Sequence, residues 1–293
     1  MKKILITGKG SYVGMSVKKY LEQWPKKYHI EELDVKGEEW KKFDFSKFDV
    51  VFHVAGLAHR KINKNDDEQI SLYYKVNTDL AEAIAKKAKK EKVKQFIFMS
   101  TASVYGDGAP IGKNKIITDK TPPAPDNVYG DSKLQAEKLL QKIESKEFKV
   151  AILRPPMIYG KECKGNYQLL RKIALKSPFF PYVKNSRSMI FIDNFSSFIK
   201  NAIDHNISGI YHPSNSKPIN TTEMVKLIAK NNDKTLKIVK HLSPLLRFAS
   251  LFTQKVNKAF GNFVYDKDIT DAKFNYNITS FEESINITES GDA

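Results

Sequence analysis

The chain has 293 residues, which is long for one simple domain and short for two large ones. Hydrophobic residues make up 41% and aromatic residues 11%, a composition that excludes a wholly disordered protein. The 49 Lys and Arg against 33 Asp and Glu give a net charge of +16, which would suit an anionic polymer as partner. Only five of the 49 basic residues are Arg, whose planar guanidinium binds phosphates and base edges through two hydrogen bonds at once. We therefore expect a lysine-rich surface and no nucleic-acid partner.

Cysteines and long apolar segments are scarce. The single cysteine, Cys163, excludes an internal disulfide and a cysteine-rich metal site, and we expect no metal ion. No stretch approaches the roughly 20 apolar residues of a membrane span, and the apolar run near the first residue is too short for a signal peptide. We therefore expect a cytoplasmic protein.

Short apolar runs alternate with helical patterns through the first half of the chain. The predicted strands are 3–7, 28–35, 49–54, 95–100 and 148–153, and the predicted helices are 12–23, 67–90 and 129–144. This alternation predicts an α/β protein with a Rossmann-type, doubly wound parallel sheet that is covered by helices on both faces. Such sheets bind ligands at the carboxyl ends of their strands.

The rhythm changes after about residue 160. Helices are predicted at 166–176, 194–205 and 221–231, and short strands at 188–192, 209–212 and 236–240. We therefore predict one domain over 1–160 and a smaller mixed α/β domain over 161–293 that is partly interleaved with the first. The tail from Phe281 onward carries acids but no Lys or Arg, and it is expected to fray.

The first predicted strand ends in a glycine-rich turn that opens directly into the first helix. Glycines here allow a tight turn and a close backbone approach, and the N–H groups of the helix favour a pyrophosphate. Glycine spacing alone is a weak signal, but this position between strand and helix favours dinucleotide binding. The turn residues assigned to a cofactor are Gly8, Lys9, Gly10, Ser11, Tyr12, Val13 and Gly14.

Two later motifs supply hydroxyl and amine groups. Thr101 directly follows a predicted strand, and Tyr129 and Lys133 stand four residues apart, on one face of a predicted helix. A lysine ammonium beside a phenol would lower the phenol pKa from about 10 toward neutrality. Such a tyrosine could exchange a proton with a sugar hydroxyl or carbonyl while Thr101 holds the same oxygen, so these three are the candidate catalytic residues.

In this order, the motifs resemble those of the extended short-chain dehydrogenase/reductase family, the NAD-dependent epimerases, dehydratases and reductases of nucleotide sugars. The resemblance extends over about residues 1–215 and includes Phe52–Gly56, Asn77 and Leu153–Gly160. Gln95–Ser100 and the Arg-Pro-Pro-Met-Ile-Tyr-Gly stretch are similar to the UDP-glucose 4-epimerase-like branch of capsular polysaccharide biosynthesis. That branch includes reductases of UDP-4-keto-6-deoxy-N-acetylhexosamines.

The resemblance implies an NAD(P)-binding domain over 1–160, a domain for a UDP-sugar substrate over 161–293, and a homodimer. It also adds contacts to the residues already named. The added cofactor contacts are Asp44, Phe45, Val54, Ala55, Gly56, Asn77, Ser100, Tyr129, Lys133 and Pro156. The substrate contacts are Thr101, Ser103, Asn166 and Arg187.

Two departures from the family pattern bear on function. Ser11 stands where the family has its middle turn glycine, which leaves open the path of the turn around a pyrophosphate. Family members that eliminate water carry an Asp-Glu pair directly after the catalytic threonine, whereas this chain has Ala102 and Ser103. Because elimination needs an acid and a base, dehydratase activity is not expected.

Charges near the end of the second predicted strand bear on the choice between NAD(H) and NADP(H). Asp34, twenty residues after Gly14, would bind ribose hydroxyls and repel a 2′-phosphate. Lys36 and Lys9 would attract that phosphate. Two lysines against one acid favour NADP(H) slightly over NAD(H).

The favoured reaction is reduction at C4 of a UDP-4-keto-6-deoxy-N-acetylhexosamine for surface polysaccharide synthesis, with Tyr129 donating the proton. The alternative is a UDP-hexose 4-epimerase of the UDP-glucose/UDP-galactose type, which uses the same residues. A non-catalytic NAD(P)-binding protein is a further alternative, against which the intact Thr101, Tyr129 and Lys133 argue.

Three remaining features receive weaker assignments. The segment 243–260 predicts a basic amphipathic helix, for which packing on the second domain is favoured over weak peripheral membrane contact in an assembly role. His53 and His59 are interpreted as packing or capping residues. Cys163 is interpreted as a structural thiol.

Overall fold

The structure is a computed structural model that describes residues 1–58, 66–240, 257 and 260–290. Its strands are β1 (Lys2–Thr7), β2 (Tyr28–Leu33), β3 (Val50–His53), β4 (Gln95–Met99), β5 (Ile116–Ile117), β6 (Lys149–Leu153), β7 (Met157–Tyr159), β8 (Phe179–Pro181), β9 (Met189–Phe191), β10 (Gly209–Tyr211), β11 (Lys237–Val239) and β12 (Val264–Tyr265). Its helices are α1 (Tyr12–Leu21), α2 (Asp67–Tyr74), α3 (Leu80–Lys90), α4 (Val128–Ile143), α5 (Asn166–Lys176), α6 (Ile192–Asp204), α7 (Thr221–Asn231), α8 (Lys267–Thr270) and α9 (Phe281–Glu289). A π-helical turn, Lys75–Asp79, joins α2 to α3.

The chain divides into two compact units. The first consists of Met1–Gly106, Pro123–Pro155 and Ser196–Pro213, and the second of Asp107–Pro122, Pro156–Phe195 and Ser214–Ala293. The elements predicted outside 243–260 are all present, with ends that agree within two residues. The small strands β5, β7, β8 and β12 and the short helix α8 were not predicted.

The first unit contains a six-stranded parallel sheet in the order β2–β1–β3–β4–β6–β10. Thr7 of β1 pairs with Leu33 of β2 on one side and with His53 of β3 on the other. The chain runs from β1 to β2 and then crosses to β3, so the carboxyl ends of β1 and β3 flank a crevice at the topological switch point. The predicted α/β class with a Rossmann-type parallel sheet is confirmed.

Both faces of the central strands are covered. Ile4, Leu5 and Ile6 of β1 are fully buried, although neighbouring strand residues point to opposite faces of the sheet. On one face Leu5 belongs to the same apolar cluster as Ala81 and Ala85 of α3. Small residues at these helix positions let α3 approach the sheet closely, and this packing holds the carboxyl ends of the strands in place.

The last strand of the sheet, β10, and most of α6 belong to the first unit, although both lie beyond residue 160 in the sequence. Gly209–Tyr211 pair in parallel with Ala151–Leu153 of β6. The buried Gln95 amide donates hydrogen bonds of 2.9 Å each to the carbonyls of Ala202 and Ile207. A segment from the second half of the chain therefore completes the sheet of the first unit.

The second unit contains three two-stranded parallel pairs, β5–β12, β7–β9 and β8–β11. Its helix α7 packs against α5 and α9. Tyr159 of β7 stacks on Tyr167 of α5, with ring centroids 5.8 Å apart, and lies beside Phe191 of β9. Buried aromatic residues thus provide much of the core of this unit.

The first part of the acidic tail forms the helix α9, so the expectation that the tail frays was wrong for residues Phe281–Glu289. The Ser280 side chain caps the helix by accepting a hydrogen bond from Glu283 N, and acids in the first turn suit the positive end of a helix. At the other end the buried Glu289 accepts hydrogen bonds from Tyr167 at 2.6 Å and from Arg171 at 2.7 Å. These long-range contacts were not visible in the local sequence.

The predicted amphipathic helix at 243–260 lies outside the described residues, apart from Asn257 and Phe260, and stays a prediction. Within the part of the chain that the structure describes, no helix has both the length and the apolar character to cross a membrane. The same residues contain no group of three or more His, Cys, Asp and Glu side chains that could hold a metal ion.

Candidate active site

The glycine-rich turn after β1 packs against the backbone that follows β3. Gly8 has a φ of +113°, and a Cβ there would lie 2.7 Å from the Ala55 nitrogen. The N–H groups of Val54 and Ala55 both donate to Thr7 O at 3.0 Å. Only glycine fits this close approach, so the turn presents bare backbone to the crevice, as a bound pyrophosphate requires.

Ser11 can stand where the family has a glycine because the residue with the left-handed backbone conformation is Gly10 and not Ser11. Gly10 has a φ of +74°, whereas Ser11 is extended with a φ of −73°. The Ser11 hydroxyl caps α1 by accepting a hydrogen bond of 3.2 Å from Gly14 N. Tyr12 and Val13 begin α1, so their N–H groups belong to the positive end of the helix.

A cavity of about 480 Å³ lies at the carboxyl end of β2. It is lined by Lys9, Glu32, Leu33, Asp34, Glu39, Trp40, Lys42 and Phe43. Two expected cofactor residues, Lys9 and Asp34, are among them, while the carboxylates of Glu32 and Glu39 were not anticipated. The third expected residue, Lys36, lies in a turn in which its N–H donates to Asp34 Oδ1 at 2.9 Å.

Glu32 joins the glycine turn to this cavity. Its carboxylate accepts a hydrogen bond of 3.2 Å from Gly10 N and another of 3.1 Å from Lys18 Nζ. Burial raises the pKa of Glu32, but these hydrogen bonds and the nearby Lys9 outweigh burial and hold the pKa below its usual value. The cavity therefore contains a charged carboxylate at neutral pH in addition to Asp34.

The Asp44–Phe45 pair does not line the cavity in the structure. The Phe45 ring is fully buried, and its backbone N–H donates to Glu91 Oε2 at 2.6 Å. The Asp44 carboxylate accepts hydrogen bonds from the backbone and hydroxyl of the residue two positions on. The aromatic lining of the cavity comes instead from Trp40 and Phe43.

The π-helical turn brings Asn77 to the backbone after β3. Asn77 Oδ1 accepts a hydrogen bond of 2.7 Å from Leu57 N, and Nδ2 donates to Leu57 O at 3.1 Å and to Ser132 Oγ at 3.0 Å. A Cβ on Gly56 would lie 3.0 Å from both Asn77 Oδ1 and Lys133 Nζ. The expected cofactor residues Gly56, Asn77 and Lys133 are therefore close neighbours.

The three candidate catalytic residues meet at the N-terminal end of α4. Tyr129 and Lys133 lie one turn apart on this helix. A Cβ on Gly130 would lie 2.4 Å from Ser103 O, so only glycine lets α4 touch the turn that carries Thr101. Thr101 Oγ1 accepts a hydrogen bond of 3.1 Å from Ser103 N, and the Thr101 side chain is close enough to the Tyr129 hydroxyl to lower its pKa.

The expected lowering of the Tyr129 pKa is wrong for this structure. Burial raises that pKa above the usual 10, the Thr101 side chain lowers it in part, and Tyr73 raises it further. Burial also lowers the pKa of Lys133 to about 7, so its ammonium is only partly charged near neutral pH. Lys133 Nζ donates to Met99 O at 2.9 Å, which directs it to the end of β4.

His53 is a packing residue. It is fully buried, its ring stacks near Phe96 and Phe98, and Nδ1 shares a hydrogen bond of 2.7 Å with the Thr7 hydroxyl. Burial lowers its pKa to about 3, and the charge of Lys133 adds to that effect, so His53 is neutral at physiological pH. The other histidine considered, at position 59, lies outside the described residues.

The remaining predicted contacts lie in the second unit. Asn166 is the exposed first residue of α5, and Pro156 is buried. Arg187 Nη1 donates to Gly261 O at 2.5 Å and to Asn257 O at 3.2 Å. Burial lowers the pKa of Arg187 to about 10, which still leaves a cation at neutral pH.

A family model described as the NAD dependent epimerase/dehydratase family matches residues 4–211, from β1 to the end of β10. The chain belongs to this family. The resemblance recognised from the glycine turn and the Tyr129–Lys133 motif is therefore confirmed. The matched range holds the crevice, the carboxylate-lined cavity and all three candidate catalytic residues.

Two curated relatives are about one third identical to the chain over the aligned residues. A UDP-glucose 4-epimerase of Vibrio cholerae is 35% identical over 191 residues, which are 63% of this chain and 57% of that protein. The N-acetyl-alpha-D-glucosaminyl-diphospho-ditrans,octacis-undecaprenol 4-epimerase of Escherichia coli O157:H7 is 31% identical over 211 residues, 69% of this chain and 60% of that protein. The match thus spans under two thirds of the length of each relative.

Solved structures show the same fold at lower identity. A dTDP-4-dehydrorhamnose reductase from Clostridium acetobutylicum superimposes with a TM-score of 0.72 at 19% identity, covering 98% of both chains. A UDP-glucuronic acid 4-epimerase from Bacillus cereus in complex with NAD gives a TM-score of 0.71 at 18% identity, covering 98% of this chain and 97% of that one. These likenesses confirm the epimerase/dehydratase fold.

A buried ion pair close to the proposed site was missed in the sequence. Ser100, expected to contact a cofactor, instead donates its hydroxyl hydrogen to Glu137, and Glu137 is paired with Arg154. The signal was present but weak, since Glu137 follows Lys133 by one helical turn. Its pairing with Arg154 joins two elements that are separate in the sequence, and only the folded chain reveals it.

Proposed function

We propose that this family member acts at C4 of a UDP-sugar and transfers hydride there with a nicotinamide cofactor. The observation that carries the proposal is that Thr101, Tyr129 and Lys133 meet at the N-terminal end of α4, with the buried Lys133 one helical turn from Tyr129 and next to the glycine of the crevice. The two relatives named above support both the C4 position and the sugar–diphosphate class of substrate.

The crevice fits a nicotinamide dinucleotide. Gly8 and Gly10 leave bare backbone at the end of β1, and the first N–H groups of α1 stand where a pyrophosphate would accept hydrogen bonds. Asp34 lines the cavity that would take the adenosine ribose. When bound, such a cofactor supplies or accepts the hydride.

The chain's own groups handle the proton. Tyr129 takes the proton from the C4 hydroxyl when the sugar is oxidised and returns it to the ketone oxygen when the sugar is reduced. Thr101 orients that oxygen and stabilises the phenolate, since its side chain lowers the pKa of Tyr129. Lys133, which lies beside Gly56 and Asn77, holds the cofactor side of the crevice and supplies positive charge there when protonated.

Epimerisation is the form of the reaction that we favour, because both relatives are named 4-epimerases. Reduction of a UDP-4-keto-6-deoxy-N-acetylhexosamine is the second candidate, favoured by Lys9 in the cavity and by the resemblance of Gln95–Ser100 to the capsular branch. Dehydration has no support, because Ala102 and Ser103 stand where an acid and a base would be needed.

To test this, the purified protein is incubated with UDP-glucose, UDP-galactose and their N-acetyl counterparts. In a separate assay it is incubated with NADPH and a UDP-4-keto sugar. Interconversion of one C4 pair, without net consumption of cofactor, supports epimerisation. Consumption of NADPH only in the presence of the keto sugar supports the reductase. Failure of every C4 substrate with a folded protein that binds cofactor would reject the proposed function.

We propose NAD(H) as the cofactor, in place of the NADP(H) that the sequence favoured slightly. Glu32, Asp34 and Glu39 put three carboxylates around the cavity against the two lysines Lys9 and Lys42. Lys42 lies 3.2 Å from Glu39 and Lys18 lies 3.1 Å from Glu32, so the charges within each of these pairs largely offset each other. Asp34 is the remaining carboxylate, and a carboxylate at this place binds ribose hydroxyls and repels a 2′-phosphate.

Binding measured by cofactor fluorescence tests this preference. We expect NADH to bind more tightly than NADPH, and Asp34→Asn to weaken NADH by about tenfold, which is the usual worth of a hydrogen bond to a charged group. Asp44→Asn is the matched control, because that carboxylate lies outside the cavity lining. Tighter binding of NADPH to the unmodified protein would contradict the proposal.

Other parts of the functional interpretation are proposals of the same kind. Asn166 and Arg187 would contact the UDP moiety, and Ser103 stays a predicted substrate contact. A guanidinium carries five N–H donors, enough to bind a phosphate as well as the two carbonyls to which Arg187 donates. The homodimer, the cytoplasmic location, the role in surface polysaccharide synthesis and the weak membrane contact through 243–260 also remain predictions.

A further inference from the structure

A buried ion pair lies behind the proposed catalytic residues of the first unit. Glu137 of α4 and Arg154 just after β6 are 1% and 5% exposed. Arg154 Nε lies 3.1 and 3.2 Å from the two carboxylate oxygens, and Nη2 lies 2.5 Å from Oε2. Burial of two charges costs free energy that their attraction returns only in part, so stability alone is a poor reason for such a pair.

The pair holds the turn that carries Thr101 from both ends. At the start of the turn, the Ser100 hydroxyl donates to the Glu137 carboxylate. At its end, Arg154 Nη1 donates to the Tyr105 hydroxyl at 2.6 Å. Since both ends of the turn bond to one ion pair, a shift of that pair displaces Thr101.

Main-chain hydrogen bonds also join the turn of Thr101 to the segment that contains Arg154. Ser100 N donates to Leu153 O at 2.8 Å, and Ala102 N donates to Pro155 O at 2.9 Å. Arg154 lies between these two acceptors in the sequence, so its backbone segment runs alongside the turn. The guanidinium and the turn are therefore held together by main-chain as well as side-chain bonds.

The carboxylate of the pair also controls α4. Glu137 follows Lys133 by one helical turn and Tyr129 by two, so the three side chains lie along one face of the helix. The bonds from Glu137 to Arg154 thus fix the rotation of α4 about its axis. Burial lowers the pKa of Lys133 to about 7, and the negative charge of Glu137 opposes that effect.

We propose that Glu137 and Arg154 are positioning residues whose ion pair sets the distance between the Thr101 and Tyr129 hydroxyls. The carboxylate fixes the helix that carries Tyr129, and both partners fix the turn that carries Thr101. The inference rests on the proposed function, because it concerns proton transfer at the oxygen that these hydroxyls share. Neither member of the pair acts on the substrate itself.

Glu137→Gln tests the proposal, because glutamine keeps the shape and removes the charge. We expect kcat to fall by about 10- to 100-fold, as for a displacement of catalytic groups by less than 1 Å, with KM and the Kd for NADH within about threefold of the unmodified values. Glu289→Gln is the matched control, since it removes the charge of a buried glutamate that is paired with an arginine, Arg171, in the second unit. A kcat within about twofold for Glu137→Gln, or a parallel loss of substrate and cofactor affinity, would overturn the proposal.

Two milder variants serve if Glu137→Gln does not fold. Ser100→Ala and Tyr105→Phe each remove one hydrogen bond to the turn and leave the ion pair in place. Each is expected to lower kcat by about tenfold while the affinity for NADH stays within about threefold. Full activity in both variants would overturn the proposal.

A measurement without substrate separates this inference from the proposed function. Hydrogen–deuterium exchange of the amides at 100–106 should be faster in Glu137→Gln than in the unmodified protein, and unchanged in Glu289→Gln. If the unmodified protein turns over no C4 substrate but this exchange pattern holds, the proposed function fails and the link from the ion pair to the turn stands. If turnover is observed and neither the exchange nor kcat responds to Glu137→Gln, the positioning role is wrong.

Discussion

Each of the two units contains a buried glutamate that is paired with an arginine, but the neighbours of the two pairs differ. In the first unit, the Glu137–Arg154 pair bonds to both ends of the turn that carries Thr101. In the second unit, Glu289 accepts hydrogen bonds from Arg171 at 2.7 Å and from Asn232 at 2.8 Å. The two glutamates are similarly buried, whereas Arg154 is buried, Arg171 is partly exposed, and the groups that each pair holds are different.

The second pair anchors the end of the described chain. Glu289 is the last residue of α9, and its partners lie on α5 and just after α7. The Glu289 carboxylate thus holds three helices together, which is a structural role. The comparison teaches that a buried ion pair indicates function only through the residues that it holds in place, and four predictions test that distinction.

The largest effect is expected from Tyr129→Phe, which removes the proposed proton-transfer group. We expect kcat to fall by at least about 100-fold, because a positioned acid–base group contributes roughly that much. The melting temperature should change little. Tyr74→Phe is the control, since its hydroxyl bonds to Asp131 at 2.6 Å on α4 and touches no reacting atom in the proposal. If Tyr129→Phe retained more than a few per cent of turnover, Tyr129 would not be the proton-transfer group, and the first unit would lose its proposed catalytic role in this comparison.

The second largest effect is expected on NADH binding, when alanine replaces Gly8 rather than Gly10 of the glycine-rich turn. At Gly8 an added Cβ would lie 2.7 Å from the Ala55 nitrogen, whereas at Gly10 no atom lies within 4 Å. Both have positive φ, so both alanine variants are strained by about 1 to 2 kcal/mol, but only Gly8→Ala must also displace backbone. We expect Gly8→Ala to weaken NADH binding at least about tenfold more than Gly10→Ala does. Equal losses in a binding titration would contradict the steric argument.

Glu289→Gln should affect stability and leave chemistry intact. It weakens three hydrogen bonds to a buried carboxylate, whose partner Arg171 is 37% exposed and partly solvated. We expect a loss of about 2 kcal/mol in the free energy of unfolding and roughly 4 to 8 °C in melting temperature. Turnover at 25 °C should stay within about twofold. Glu282→Gln, on the exposed face of the same helix, is the control and should shift the melting temperature by less than about 2 °C.

The smallest effect at neutral pH is expected from His53→Phe, which replaces a buried polar group of the first unit with no proposed chemical role. The pKa of His53 is about 3 in the folded chain and about 6.5 when unfolded, so between these values the unfolded chain binds more protons. The folded state therefore loses stability as the pH falls from about 6.5 to 3, whereas above pH 6.5 the contribution of His53 to stability does not change with pH. Urea unfolding at pH 7 and pH 4.5 should show a smaller difference for His53→Phe. An unchanged difference would show that His53 does not contribute to acid sensitivity.

Much of the site could be predicted because its pieces are local in sequence. The turn from Gly8 to Gly14 joins a strand to a helix within a few residues, and Tyr129 and Lys133 share one helix face by their spacing. Strand and helix periodicity placed these pieces at the carboxyl ends of parallel strands. The family resemblance followed from the same local motifs and was confirmed.

What could not be predicted depends on contacts that only the folded chain shows. The carboxylates of Glu32 and Glu39 were not anticipated beside Asp34, because only the folded chain shows which side chains line the cavity. The pKa of Tyr129 is raised where a decrease was expected, since burial in the folded chain outweighs the lowering effect of Thr101. A local pattern contains no information on how far water is excluded.

The sequence by itself determined the parallel α/β sheet, the glycine turn and the identity of the three candidate catalytic residues, because each follows from spacing within one or two elements. Only the tertiary structure decided that β10 completes the sheet, that α9 is anchored rather than frayed, and that one ion pair holds the turn of Thr101. The physical reason is the same in each case. Hydrogen bonds and charges are specified by three-dimensional distance, and the partners of Gln95, Glu289 and Arg154 come close only when the whole chain has folded.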